Sequence, residues 1–171
     1  MNKIVSGAES LKGKVKYVFG GDNIEGGKGD CSDFTQYVYA QQNLSIGGTT
    51  QEQYMSTAKV TEPQEGDLVF FKDTYDSGYV DGVSHVGIYT GDNKFIHLSS
   101  GAGTVVESDL SDSYYQEHFL SFGRVGDWSD MVVSGTRIET KNNILRTITV
   151  IGLIIIVIIC LVMSLSDKKK E

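Results

Sequence analysis

The spacing of apolar positions changes along the chain, and each change marks a different kind of element. Ala8 to Tyr17 reads as a short helix running up to Gly20-Gly21. Ser32 to Gln41 reads as a second helix, with Phe34, Val38 and Tyr37 on its buried side, and Thr49 to Thr57 is a candidate third. Beyond Gly66-Asp67 the period shortens. Leu68 to Phe71 is an unbroken apolar run of strand length, and Val86 to Thr90 follows a glycine-rich loop. Gly91-Asp92-Asn93 is a hairpin signal, leading into Lys94 to Leu98 and then Thr104 to Glu107. Helices first and an antiparallel meander second predict an α+β domain rather than a doubly wound α/β sheet. No internal repeat or low-complexity tract interrupts it.

The carboxyl end follows a different pattern. Ile148 to Leu165 reads ITVIGLIIIVIICLVMSL and contains no charge. As a helix it would extend about 27 Å, close to the hydrocarbon thickness of a bilayer. A core helix of that length would keep a polar face. Four segments are therefore expected: a globular domain over 1–125, a polar linker or stalk over 126–147, a membrane-spanning helix over 148–165 and a basic tail over 166–171. Arg137, Lys141 and Arg146 on one flank nearly balance Lys168, Lys169 and Lys170 on the other. The compact tail cluster leans toward tail inside and domain outside. Trp128 suits core, stalk or interfacial anchor equally. Met1 to Ser10 lacks the apolar region of a cleavable signal peptide.

Composition narrows the function classes. The chain has 171 residues, 40% of them apolar, which suffices for one core with appendages. A net charge of −7 with no basic stripe in the globular part disfavours nucleic-acid binding. Of the two cysteines, Cys31 sits in a polar, turn-rich stretch and Cys160 inside the apolar run. A bridge between them would tie the domain to the middle of a membrane, so no disulfide is expected. Cys160 reads as a small apolar residue. Cys31 is left as a lone thiol, a candidate nucleophile.

Its setting suits that chemistry. Cys31 stands at the predicted start of the second helix, where Asp30 or Ser32 can cap. Backbone N–H groups of the first turn favour a thiolate and an oxyanion nearby. His85 opens SHVGIYT and His97 lies on FIHLSS, across the hairpin. Adjacent antiparallel strands can bring both imidazoles together on one face, one taking the thiol proton and the other orienting it. Two unrelated structural histidines would fit the same pattern. His118 reads as a surface or packing residue. The histidines and aspartates lack zinc spacing, and a thiolate needs no metal, so neither metal nor cofactor is expected. The loop Lys72 to Val83 is either a lip of the cleft or a plain solvated loop.

From about Ala8 to Val125 the chain resembles the NlpC/P60 cysteine peptidases. Tyr17-Val18-Phe19-Gly20-Gly21 resembles the family's YxxGG entry, and Asp30-Cys31-Ser32 with Phe34, Tyr37, Val38 and Tyr39 its nucleophile helix. Thr49 to Tyr54, Gly66 to Phe71, Ser84 to Tyr89 and Phe95-Ile96-His97 resemble, in order, the following helix and three strands, and Tyr114-Tyr115 through Phe119 with Arg124-Val125 the closing segment. The resemblance implies a papain-like fold with Cys31 as nucleophile, His85 as general base and His97 as the orienting third residue. Tyr17, Asp30, Ser32 and Ser84 fall on its substrate-side positions, with a helix-cap role equally open for Asp30. The implied partner is peptidoglycan, cut between D-γ-glutamate and the diamino acid of a stem. Two positions depart from the pattern: Asp33 replaces the glycine after DCS, and Gln64 stands where a proline often precedes the GD pair. The expected protein is a wall hydrolase on a lipid bilayer, its domain facing the wall. Insertion would be directed by the helix itself, or the enzyme would ride in the virion membrane of a bacteriophage. A cysteine amidase or acyltransferase on another substrate, and a non-catalytic wall-binding module, are the alternatives.

Overall fold

A computed structural model describes residues 2–126. The expected spanning segment 148–165, the tail 166–171 and all but the first residue of the expected stalk lie outside the described residues. No helix of the described residues is long and apolar enough to cross a membrane.

The first helix, α1, runs Lys3–Ser10, earlier than the expected Ala8 to Tyr17. Asn2 starts it by accepting from the Ile4 N–H at 2.9 Å. Gly13, at φ +72°, takes the left-handed conformation in the turn that follows. The chain then enters strand β1 (Lys16–Tyr17), followed by β2 (Asp22–Asn23) and β3 (Lys28–Gly29). Helix α2 (Cys31–Ala40) and helix α3 (Thr50–Ser56) fall where expected, and each begins with a reciprocal capping box, Asp30 with Asp33 and Thr49 with Glu52. The remaining elements are β4 (Ala58–Val60), β5 (Leu68–Lys72), β6 (Val83–Gly91), β7 (Lys94–Ser99), β8 (Thr104–Asp109), α4 (Ser113–His118) and β9 (Phe119–Arg124). The hairpin between β6 and β7 turns through Asp92 (φ 47°) and Asn93 (φ 61°), the paired positive angles of a tight hairpin turn.

The strands form one sheet in the order β2-β3-β1-β8-β7-β6-β5-β9-β4. The run Leu68 to Phe71 is continuously apolar because β5 is covered on both faces. Leu68 and Phe70 join the core with Ala8, Phe34 and Val38 of α1 and α2, whereas Val69 and Phe71 join Phe95 and Leu110 on the other side. Helices α1 and α2 therefore lie on one face of the central strands, and Tyr115 of α4 packs against the other.

Two polar locks fix the elements that carry the site. Gln53 of α3, fully buried, donates to the carbonyls of Ser32 and Gly47 and accepts from Thr35, each within 2.9 Å, so it ties α3 to the first turn of α2. Asp67, buried before β5, accepts two hydrogen bonds from Arg124 of β9, at 3.0 and 2.7 Å. The GD pair and Arg124 at the end of β9 are thus one joint.

Candidate active site

Cys31 is the first residue of α2 and is buried. Its start is set by Asp30, whose Oδ1 accepts from the N–H groups of Ser32 and Asp33 and from the Ser32 hydroxyl at 2.8 Å, while Oδ2 accepts from the Gly20 N–H at 3.1 Å. Asp30 thus acts as cap and as clamp to the Gly20-Gly21 turn. Asp33 is the return half of the box, accepting from the Asp30 N–H at 2.9 Å, a role the family's glycine cannot fill. Burial, with the nearby charges of Asp30 and Asp22, pushes the Asp33 carboxyl up to about 6.

The sulfur of Cys31 lies 3.8 Å from Thr50 Oγ1, and the nearby backbone N–H groups of Val86 and Ser32 favour its charged form. Among the described residues no hydrogen bond joins it to the His85 ring; it meets the peptide that follows His85 instead. Burial and the Asp30 charge push the thiol up to about 11, overriding the stabilising contacts from Thr50, Val86 and Ser32. The helix start was expected to favour ionisation. Desolvation is the larger effect here.

The histidines come from neighbouring strands, as the hairpin predicts. His85 on β6 is half-buried and His97 on β7 is buried; His85 Nε2 and His97 Nδ1 lie 2.6 Å apart. Both rings share the sheet face of Phe71 and Phe95, which pack against them. Gly87 makes room for this. A Cβ there would come within 2.7 Å of the Phe95 ring, 3.0 Å of the Ile96 carbonyl and 3.1 Å of His97 Cβ. The apolar surroundings push His85 down to about 4, and burial beside His85 holds His97 well below the usual imidazole range. At neutral pH the thiol and both rings are uncharged. His97 Nε2 continues to Ser108 Oγ at 3.0 Å and Tyr115 Oη at 3.2 Å, two partners the sequence pattern did not single out. His118 donates to the Lys72 carbonyl at 2.8 Å, a packing contact as expected.

Two adjoining hollows make up the cleft. One, of about 270 Å³, holds Cys31 with Asp22, Asp30 and Asp33 on its wall. The other, of about 900 Å³, holds His85 and His97 with Ser84, Ser108 and Tyr115. Tyr17, Phe19 and Tyr75 line both. Burial and the neighbouring Cys31, Asp30 and Tyr75 push the Tyr17 phenol up to about 12, so it stays a hydrogen-bond donor. Tyr75 lies in the loop between β5 and β6, which therefore does form a lip; its ring meets exposed Phe19 edge-on at 5.7 Å. Ser84 anchors that loop, its hydroxyl accepting from the Thr74 N–H at 2.9 Å and pairing with the Thr74 hydroxyl. Ser32 and Ser84 thus lie beside the cleft with hydroxyls already partnered. Among the described residues no three metal-ligating side chains converge.

Fold and cleft define a papain-like α+β domain, with a buried thiol at a helix start and a histidine pair on the sheet beside it. Residues 13–124 match the NlpC/P60 family, and the chain belongs to it. It is 39% identical over 111 residues to the bifunctional muramidase/DL-endopeptidase CwlT of Bacillus subtilis, covering 64% of this chain and 32% of that protein. It is 41% identical over 125 residues to the probable peptidoglycan endopeptidase LytE of the same organism, covering 72% and 34%. The chain thus spans about a third of the length of these relatives. Among solved structures, an NLP/P60-family protein described as similar to lipoprotein, from Staphylococcus aureus, superposes with a TM-score of 0.65 at 35% identity, covering 73% of this chain and 41% of that one.

Proposed function

We propose that the protein is a cysteine endopeptidase that cuts the peptide stems of peptidoglycan, with Cys31 as nucleophile, His85 as general base and His97 as its orienting partner. The observation that carries this reading is the thiol at the start of α2, seated against the Val86 N–H, one residue beyond a histidine held to a second histidine at 2.6 Å. Relatives named as a muramidase/DL-endopeptidase and as a probable peptidoglycan endopeptidase support the substrate class.

The chemistry follows from the neutral resting pair. His85 Nε2 is committed to His97, which leaves Nδ1 for the thiol. As substrate displaces water from the cleft, Cys31 S–H gives its proton to His85 Nδ1, and the sulfur bonds to the amide carbonyl carbon. The tetrahedral oxyanion is met by the Cys31 N–H, the first-turn donor of α2 that Asp30 leaves free, and by the Tyr17 hydroxyl. Collapse breaks the C–N bond, and the amine leaves with the His85 proton. Water, deprotonated by His85, then hydrolyses the thioester and restores the thiol. Asp22, Asp30 and Asp33 make the small hollow acidic, suited to an amine on the stem. On this reading the scissile bond is D-γ-glutamyl–diamino acid, and Tyr17, Asp30, Ser32 and Ser84 form the substrate side.

Digestion of purified walls of several stem types by the full chain, with mass spectrometry of the fragments, tests both substrate and bond. Stem fragments cut at that bond are expected from the wild type; intact stems from every wall type would sink the reading. The tether is proposed from the uncharged stretch 148–165. Sedimentation with membranes after carbonate washing is expected for the full chain and not for a chain ending at residue 147; release of the full chain by carbonate would contradict it. For a phage source, absence of the protein from purified virions would exclude the virion placement.

A further inference from the structure

His97 must serve His85 with a bare nitrogen, and something must keep it bare. His97 is held neutral by burial and by its neighbour, so its ring carries one proton, on either Nδ1 or Nε2. Only one placement permits the reaction proposed above, on which this inference rests. For His85 Nδ1 to accept the thiol proton, His85 Nε2 must carry hydrogen and donate it to His97 Nδ1 across the 2.6 Å contact. The His97 proton must then sit on Nε2. In the opposite tautomer His97 Nδ1–H would donate to His85 Nε2, and His85 would face the sulfur with N–H, unable to accept.

Beyond His97 Nε2 the structure holds two hydroxyls. Ser108 Oγ lies 3.0 Å away and Tyr115 Oη 3.2 Å away. Ser108 donates its own hydrogen to Tyr115 Oη at 3.3 Å, which leaves the Ser108 oxygen facing the ring as an acceptor. The two residues come from different elements, β8 and α4. The Tyr115 ring is fixed by Phe71, Phe95 and His97 at centroid distances of 5.4, 4.9 and 5.6 Å. Asp112 secures the helix by accepting from the Tyr114 N–H at 2.9 Å.

We propose that Ser108, seconded by Tyr115, is a positioning residue that fixes His97 in the Nε2–H tautomer and so keeps His85 Nδ1 open to the Cys31 thiol. The line runs Cys31, His85, His97, Ser108, Tyr115, with every proton polarised away from the sulfur. In this arrangement α4 serves the reaction by supplying the end of the line.

The test is a long-range proton–nitrogen NMR correlation on the full chain in detergent micelles, labelled with nitrogen-15 histidine, beside steady-state cleavage of a synthetic stem peptide. His97 is expected as Nε2–H in the wild type. In the Ser108→Ala, Tyr115→Phe double variant it should lose that preference, with kcat falling roughly 10- to 100-fold and KM little changed. Ser108→Thr, which keeps a hydroxyl, should restore both. An Nδ1–H His97 in the wild type overturns the proposal, and that spectrum decides it even where the double variant fails to fold. A folded double variant with unchanged tautomer and unchanged kcat overturns it equally. A wild type that shows the hydroxyl-dependent Nε2–H form yet cleaves no stem peptide leaves the tautomer assignment standing and removes the peptidase reading instead.

Discussion

In the proposed mechanism the cleft holds a proton that moves only when substrate arrives. With the thiol up at about 11 and His85 down at about 4, the proton rests on sulfur at neutral pH. Alkylation of Cys31 by iodoacetamide should therefore rise about tenfold per pH unit from 7 to 9, because only thiolate reacts. A rate already at its plateau below pH 7 would mean a resting ion pair and would contradict this. Gly87 is the second test at this scale. Gly87→Ala drives a Cβ into the Phe95 ring and the His97 Cβ and should cost about 1–3 kcal/mol of stability. It should lower kcat as well, by displacing His97; thermal unfolding and stem-peptide kinetics measure the two. The placing of Cys31 at a helix start and of His85 beside His97 was legible in the sequence, because a lone cysteine after a capping residue and a hairpin with a histidine on each strand are local patterns. Their partners Thr50, Ser108 and Tyr115 were not, because each meets its site residue only through tertiary packing. The contribution of Asp33 to a capping box was likewise hidden, since one capping signal, Asp30, already explained the helix start.

At the scale of elements, capping and turn chemistry decided what could be read. Helices α2 and α3 and the β6–β7 turn carry their own start and stop signals and fall within a residue of expectation, although β6 begins at Val83, three residues before the expected Val86. Helix α1 was placed too late because its start depends on Asn2 and its end precedes the Gly13 turn, neither of which is marked by apolar periodicity. Strands β1, β2 and β3 have two residues each, too few for any period, and β4, α4 and β9 exist through pairing and packing with distant segments. The α2–α3 joint rests on Gln53. Gln53→Leu keeps the bulk but removes the amide donors to the Ser32 and Gly47 carbonyls, while the Thr35 hydroxyl keeps the Ser32 carbonyl at 2.9 Å, and should destabilise by about 1–3 kcal/mol in urea unfolding. A loss under about 0.5 kcal/mol would show that the buried amide is not the joint.

For the whole molecule, pH acts on stability through groups of opposite sign. His85 and His97 titrate lower when folded than unfolded, so the unfolded chain takes up protons first as pH falls below 6.5. Their contribution is full above that pH and is lost as pH falls toward 4. Asp33 opposes them. Its folded value near 6 lies above the model-peptide value of 3.8, so the folded state gains from it as pH falls through 6. The melting temperature should drop from pH 6.5 to 4, and more steeply in Asp33→Asn, which keeps the capping oxygen but not the proton. A shallower drop in that variant would reverse the assigned sign.

The proposed activity, cleavage of stem peptides through the Cys31 sulfur, is open to direct measurement. The most direct measurement is the rate of product formation from a synthetic γ-D-glutamyl–diamino acid stem peptide, by the full chain and by Cys31→Ala side by side, with folding of both verified by circular dichroism. Turnover by the wild type and a loss of at least about 10³-fold in the variant are expected, the scale seen when a nucleophile is removed. Equal rates from the two proteins would contradict the proposed activity.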